Sequence, residues 1–155
     1  MTTEKKVMAD GESIEAKIAE LGEIVFSNKG KSMYPMLRNR KDMSVIRRFE
    51  GERLKVGDVP VFRMKCGKLV MHRIIKVTPE MYITRGDNET HCEKARPESI
   101  FGVLKGFYRN GRYIDCEKSR LYKCYVFLNR ISYPIRFLRK KFLYVVRGCG
   151  KSDET

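Results

Sequence analysis

The sequence predicts a mainly β fold, with a short helix before the sheet and a basic helical extension after it. Three observations support this prediction. Between residues 23 and 115, short runs of β-branched and aromatic residues alternate with turns rich in glycine, proline and asparagine. Apolar residues just before that region follow helical spacing, and so do apolar residues from 121 onward. Many short strands joined by tight turns favour a folded or partly closed sheet.

The elements follow in order along the chain. A helix is predicted over 13–21, because Ile14, Ile18 and Leu21 recur at i, i+4 and i+7 and Gly22 is a plausible stop. Strands are predicted at 23–27, 43–47, 58–64, 68–77, 81–85, 100–108 and 112–115. An Asn-Gly pair at 110–111 separates the last two strands, which is typical of a two-residue hairpin turn.

The last third of the chain has a helical pattern. Apolar residues recur at 121, 125, 128, 131, 135, 138, 142 and 145. Pro134 is expected to split or kink this helix. We therefore predict three segments: an N-terminal segment with a short helix (1–21), a catalytic β-domain (22–117) and a basic amphipathic helical tail (118–155).

The charge of the chain is concentrated in that tail. The net charge is +14, and residues 118–151 contain ten Lys or Arg but no Asp or Glu. The apolar stripe of this tail is typical of a helix packed on its own domain. The alternative, which the cations favour, is peripheral contact with an anionic membrane surface. No specific nucleic-acid partner is expected, because no recognition motif accompanies the charge.

The cysteines and the apolar runs indicate the compartment. The five cysteines are widely spaced and form no CxxC pair, so neither a zinc site nor a disulfide framework is expected. Reduced thiols favour a cytoplasmic location, with the membrane surface as a second option. Residues 1–11 lack the apolar core of a signal peptide. The sequence contains no run of 18 apolar residues, so no membrane-spanning helix is predicted.

One serine and one histidine carry the predicted chemistry. Ser32 lies in a turn between Gly30 and Pro35, where its hydroxyl and its own backbone N–H can face a substrate carbonyl. His72 interrupts an apolar strand, and a neutral imidazole there can take the serine proton. Asp87 is the candidate for orienting that imidazole, with placement of the His72 strand as its rival role.

The sequence contains other candidate bases besides His72. Lys68 and Lys76 are alternatives, and each would have to be buried to act as a base. His91 beside Cys92 favours an exposed loop histidine over a nucleophile pair, since adjacent side chains usually point apart.

Four segments resemble the signal peptidase and LexA-like superfamily of serine peptidases, in family order over about residues 22–107. They are 30–37 (GKSMYPML), 54–62 (LKVGDVPVF), 72–76 (HRIIK) and 84–88 (TRGDN). A histidine at the base position resembles the endoplasmic-reticulum and archaeal signal peptidases. The resemblance implies a curled or partly closed β-sheet and a peptide or protein substrate, such as a leader or precursor. It also implies amide hydrolysis through an acyl-enzyme on Ser32, with His72 as base, a role for Asp87, and no metal or organic cofactor.

The sequence also departs from that family. Residues 39–42 (NRKD) replace the usual Gly-Asp after the nucleophile box, which puts Asp42 one residue out of register. A transmembrane anchor, a self-cleaving Ala-Gly bond and a helix-turn-helix domain are not found. Two alternatives to an enzyme therefore stay open: a catalytically silent module that binds peptide, membrane or nucleic acid, and a regulator related to LexA-like repressors.

Overall fold

The computed structural model describes residues 14–149, including the side chains of all but residues 140 and 143–149. The predicted mainly β class, with a short N-terminal helix and a C-terminal helix, is confirmed. The elements are α1 (Ile14–Leu21), β1 (Glu23–Ser27), β2 (Met43–Arg48), β3 (Pro60–Arg63), β4 (Leu69–Met71), β5 (Arg73–Val77), β6 (Tyr82–Arg85), β7 (Glu93–Ala95), β8 (Ile100–Arg109), β9 (Arg112–Asp115) and α2 (Arg120–Cys149). The predicted start of the first helix at Ser13, and the rest of segments 1–13 and 150–155, lie outside the described residues.

The strands form two antiparallel sheets. The larger has the order β1-β2-β8-β3-β4, and the smaller has the order β5-β6-β7. The ten-residue β8 organises the larger sheet, because β2 pairs along one of its edges while β3 and β9 share the other. Register shifts interrupt the β2–β8 and β3–β8 ladders, and such bulges bend a sheet locally.

The strand predicted over 68–77 is divided in the structure. Leu69–Met71 belongs to the larger sheet and Arg73–Val77 to the smaller sheet, so the chain passes from one sheet to the other at His72. The prediction of one continuous strand was wrong because apolar periodicity does not reveal where a chain changes its pairing partner. As a result, His72 lies at the junction of the two sheets.

The predicted C-terminal helix is one element in the structure. α2 runs without interruption from Arg120 to Cys149, with Pro134 inside it, so of the split or kink expected at this proline the split does not occur. A proline removes one helical hydrogen bond. Here side chains on both sides of Pro134, including Asn129 and Arg136, are bound to the β-domain, which holds the helix together across that position. No helix among residues 14–149 is both long enough and apolar enough to cross a bilayer.

The main apolar core fixes the turn that contains Ser32. Its buried members come from α1, β1, β2, β3, β8, α2 and the turn itself, which contributes Met33, Met36 and Leu37. Burying such a side chain contributes about 1.5–3 kcal/mol each. A second cluster, built around Phe62, Ile74 and Tyr82, lies between the two sheets. The residues that follow Ser32 are therefore anchored in the core although Ser32 itself is partly exposed.

Candidate active site

The turn around Ser32 is closed by backbone hydrogen bonds. Tyr34 N–H donates to the Lys31 carbonyl at 3.2 Å, and Leu37 N–H donates to the Met33 carbonyl at 2.9 Å. Gly30 has a φ of 109°, a conformation that side chains rarely adopt, so glycine is needed where the turn begins. The Tyr34–Pro35 peptide bond is cis.

A buried carboxylate lies beneath this turn. The Asp42 side chain is 0% exposed and binds the guanidinium groups of Arg38 and Arg109, each at 2.8 Å. Arg109 also donates to the carbonyls of Pro35 and Met36, at 3.2 and 2.5 Å. Burial alone would raise the pKa of Asp42, but the hydrogen bonds and charges of the two arginines outweigh it, so the pKa lies below its usual value. Asp42 therefore fixes the backbone just after Ser32.

Gly86 brings the Ser32 turn and His72 together. A Cβ atom on Gly86 would lie 2.8 Å from the Ser32 carbonyl oxygen and 3.1 Å from His72 Nε2. The sum of these distances, 5.9 Å, is the greatest separation that the two atoms can have. The next residues lock this approach, because Asn88 donates its N–H to the Ser32 carbonyl at 2.7 Å and its side-chain amide to the Lys31 carbonyl at 3.2 Å.

The carboxylate that contacts His72 is Glu93. His72 Nδ1 lies 2.8 Å from Glu93 Oε2, and the two side chains are only 8% and 9% exposed. Glu93 is the first residue of β7, which pairs with β6, which in turn pairs with β5. An ionised carboxylate has no proton to donate, so His72 Nδ1 is the donor in this hydrogen bond. The contact therefore favours the neutral tautomer with its proton on Nδ1 and a lone pair on Nε2. Nε2 is also the atom of His72 that lies close to Gly86, near the Ser32 carbonyl oxygen.

A second histidine meets the other oxygen of Glu93. His91 Nε2 lies 3.1 Å from Glu93 Oε1, while the His91 side chain is exposed. His91 therefore stands outside the buried pair formed by His72 and Glu93. This placement agrees with the prediction that it is an exposed histidine.

The hydrogen bonds of the Asp87 carboxylate go to residues other than His72. Both of its oxygens accept from the buried Arg73 guanidinium, each at 2.8 Å. Burial lowers the pKa of Arg73, but the hydrogen bonds and charge of Asp87 raise it more, so the guanidinium is held in its charged form. Since Arg73 follows His72 directly, Asp87 fixes the start of β5 and with it the position of the histidine. This corresponds to the rival role predicted for Asp87, placement of the segment that contains His72.

One face of α2 completes this buried cluster. Tyr125 and Asn129 donate to the Asp87 carboxylate at 3.0 and 2.9 Å, and Arg136 donates to the Asp87 carbonyl at 3.1 Å. Arg73 also donates to the Tyr122 hydroxyl at 2.9 Å. Further along α2, the Tyr133 ring lies under the Arg85 guanidinium. The helix thus holds the same 85–88 loop that contacts Ser32 and His72.

The alternative lysine bases lie elsewhere. Lys68 and Lys76 are both exposed, so neither has the burial that a lysine base requires. Sequence reasoning noticed Asp42 only as a residue out of register, and it missed Glu93. Glu93 had no signal in the sequence, because its role depends on strand pairing across the smaller sheet.

Two comparisons of the chain with known proteins found no match. No protein-family model matches the chain, and no curated protein matches it.

The Asp42 cluster predicts a pH-dependent stability. Because the folded-state pKa of Asp42 is lowered, its contribution is complete above the unfolded value near 4 and is lost as the pH falls below it. Asp42→Asn should lower the free energy of unfolding by about 2 kcal/mol at pH 7, the scale of hydrogen bonds to a charged group. Urea unfolding of both proteins at pH 7 and near pH 3 should show this difference shrinking in acid. Glu80→Gln, at an exposed site, is the control; an Asp42→Asn difference that is equal at both pH values would contradict the prediction.

The Arg73–Asp87 ion pair predicts that substitutions at its two residues have strongly non-additive effects on the free energy of unfolding. Asp87→Asn leaves the Arg73 guanidinium buried without its counter-charge, which should cost about 3–5 kcal/mol of unfolding free energy. Arg73→Met should cost a similar amount, and the double variant should cost clearly less than the two changes together. The measurement is a double-mutant cycle by urea unfolding. The exposed Arg48–Glu50 pair serves as the comparison cycle, and additive effects at Arg73 and Asp87 would refute the coupling.

Proposed function

We propose that this chain is a serine endopeptidase similar to the histidine-type members of the signal peptidase and LexA-like superfamily. The observation that carries the proposal is that the Ser32 carbonyl oxygen and His72 Nε2 both lie against Gly86, within 5.9 Å of each other. The buried contact between His72 Nδ1 and Glu93 supports it, since it leaves Nε2 with the lone pair that a general base needs. The curled sheet of that superfamily is likewise part of the proposal, and the meeting of two antiparallel sheets at His72 is consistent with it.

The proposed reaction begins when the Ser32 hydroxyl attacks the carbonyl carbon of a peptide bond. The hydroxyl proton passes to His72 Nε2 while the new C–O bond forms, and the Ser32 backbone N–H is the candidate donor to the developing oxyanion. The imidazolium then gives its proton to the leaving amine as the C–N bond breaks. Water, activated in the same way by His72, releases the acyl group and restores Ser32.

The two carboxylates have different proposed roles. Glu93 accepts from His72 Nδ1, so it holds the imidazole in one tautomer and stabilises the cation formed during each proton transfer. Asp87 acts as a positioning residue through Arg73. This assignment changes the expected triad from Ser32, His72 and Asp87 to Ser32, His72 and Glu93.

The proposed substrate is a peptide or protein segment, such as a leader or precursor. The proposed chemistry uses side-chain and backbone groups of this chain together with water, and no metal or organic cofactor. The expected location is the cytoplasm, as the wide cysteine spacing indicates.

Ser32→Ala tests the nucleophile. The variant should lose hydrolysis of peptide substrates and covalent labelling by a fluorophosphonate probe, because it lacks the oxygen that forms the acyl bond. Labelling is read by intact mass, and thermal unfolding verifies that the variant folds. Ser99→Ala is the matched control and should label fully, because the Ser99 hydroxyl is bound locally to the Arg96 carbonyl. Full labelling of Ser32→Ala would rule out this nucleophile, and a wild-type protein that neither labels nor cleaves would favour the silent binding module.

Glu93→Gln tests which carboxylate assists the base. The amide keeps the shape of the side chain but removes the charge that stabilises the imidazolium, so kcat should fall roughly 10²- to 10⁴-fold. Stability should change far less than in Asp87→Asn, because the amide oxygen can still accept from His72 Nδ1. Glu98→Gln, at an exposed position, controls for the loss of one negative charge. Wild-type kcat in Glu93→Gln would show that this carboxylate does not take part.

A further inference from the structure

We propose that the outer face of α2 binds the surface of an anionic lipid bilayer. The outer face comprises Leu121, Phe127, Leu128, Ile131, Ile135, Leu138 and Phe142. The inference is independent of the chemistry proposed for Ser32, because none of these residues belongs to the candidate active site.

The outer face is apolar and open to solvent. Its seven side chains are between 56% and 85% exposed. At 100° per residue, they occupy an arc of about 120° from Phe127 to Leu121 that continues for some six turns of helix. Large contiguous apolar patches are rare on isolated proteins and mark interaction sites.

The β-domain cannot cover this face, because it already holds the opposite one. Tyr122, Tyr125, Asn129, Tyr133 and Arg136 bind the β-domain and lie about half a turn away from the outer face. The expectation that the stripe of apolar residues packs on its own domain therefore fails for all of its described members except Tyr125. Polar and aromatic residues, not the aliphatic stripe, dock the helix.

Cations border the outer face. Lys123, Arg130 and Lys141 are exposed and recur at intervals of 7 and 11 residues, which places them in one row along one edge of the apolar arc. Arg139 is exposed on the other edge. Long cationic side chains beside an apolar face can keep their charged ends at lipid phosphates while their stems lie along the apolar surface.

Charge also argues against a second copy of the chain as the occupant. The outer face has the three- and four-residue spacing of a coiled-coil seam. However, residues 118–151 contain ten cations and no acidic residue, so two copies would place like charges together along the whole contact. The apolar arc is also wider than a two-position seam, because Phe127 extends it on one side. A broad apolar surface whose charged neighbours among residues 120–142 are all cations matches an anionic membrane surface.

The first experiment measures binding of the full chain to vesicles. Wild-type protein should co-sediment with vesicles of equal parts phosphatidylglycerol and phosphatidylcholine, and much less with phosphatidylcholine alone. A stripe variant carrying Ile131→Gln, Ile135→Gln and Leu138→Gln should bind at least tenfold more weakly, because it loses the apolar area that enters the interface. Far-UV circular dichroism and thermal unfolding establish that the variant keeps α2, since these side chains touch solvent in the free protein.

A matched pair of charge variants tests which cations contribute to vesicle binding. The rim variant, with Lys123→Gln, Arg130→Gln and Lys141→Gln, should lose about fivefold per cation, or roughly 100-fold in all. The control variant, with Lys65→Gln, Lys94→Gln and Arg112→Gln, removes the same charges from exposed sites on the β-domain and should lose far less. Equal losses would mean that net charge alone attracts the vesicles, and would overturn the proposed surface.

Fluorescence then reports which face meets lipid. The chain has no tryptophan, so a single introduced one reports its own position. Phe127→Trp, on the outer face, should shift its emission to the blue on addition of anionic vesicles. Tyr133→Trp, on the face that holds the β-domain, should not shift.

Three further results would reject the proposal. Wild-type protein that does not bind anionic vesicles, or a stripe variant that binds as well as wild type, removes the lipid surface as the occupant. Sedimentation velocity that shows a wild-type dimer and a monomeric stripe variant assigns the outer face to a second copy instead. Ser32→Ala should bind vesicles as wild type does, so failure of the peptidase proposal and failure of this one are distinguishable.

Discussion

The buried ion pair between Arg73 and Asp87 is the interaction on which the rest of the site depends. Removing two charges from water costs several kcal/mol for each ion, and only close geometry with every polar atom paired offsets that cost. The pair meets this condition through hydrogen bonds from Tyr125 and Asn129 to the carboxylate and from the guanidinium to the Gly57 carbonyl. The 54–62 segment, β5, the 85–88 loop and α2 therefore have to come together for the charges to be tolerated.

The position of this pair explains how the candidate site is assembled. His72 and Arg73 are neighbours in an extended chain, so their side chains point to opposite sides. Arg73 points to Asp87 and α2, while His72 faces Gly86 and Glu93. In the turn that follows β6, Gly86 and Asp87 are also neighbours. Fixing Arg73 against Asp87 therefore sets the distance from His72 to the Ser32 turn without any direct bond between them.

The sequence predicted most elements of the fold, since β1, β9 and the start of β8 agree with strand periodicity and turn residues. It failed where a feature depends on pairing between distant segments. His72 divides one apolar run between two sheets, and Glu93 reaches the imidazole only because β7 pairs with β6. Local patterns carry propensity and periodicity but no information about partners. For the same reason, a Gly-Asp-Asn segment predicted that Asp87 would be important but did not reveal that Arg73 is its partner.

The two faces of α2 show why an amphipathic pattern can be assigned to the wrong surface. An aliphatic stripe normally packs inward because burial of apolar area is favourable. In this helix, the inward face instead donates hydrogen bonds from Tyr125 and Asn129 to the buried Asp87 carboxylate, and a rotated helix would leave that carboxylate without these two donors. The electrostatic requirement at Asp87 therefore fixes the rotation of the helix about its axis. The apolar stripe is left facing solvent as a consequence of the chemistry on the opposite side.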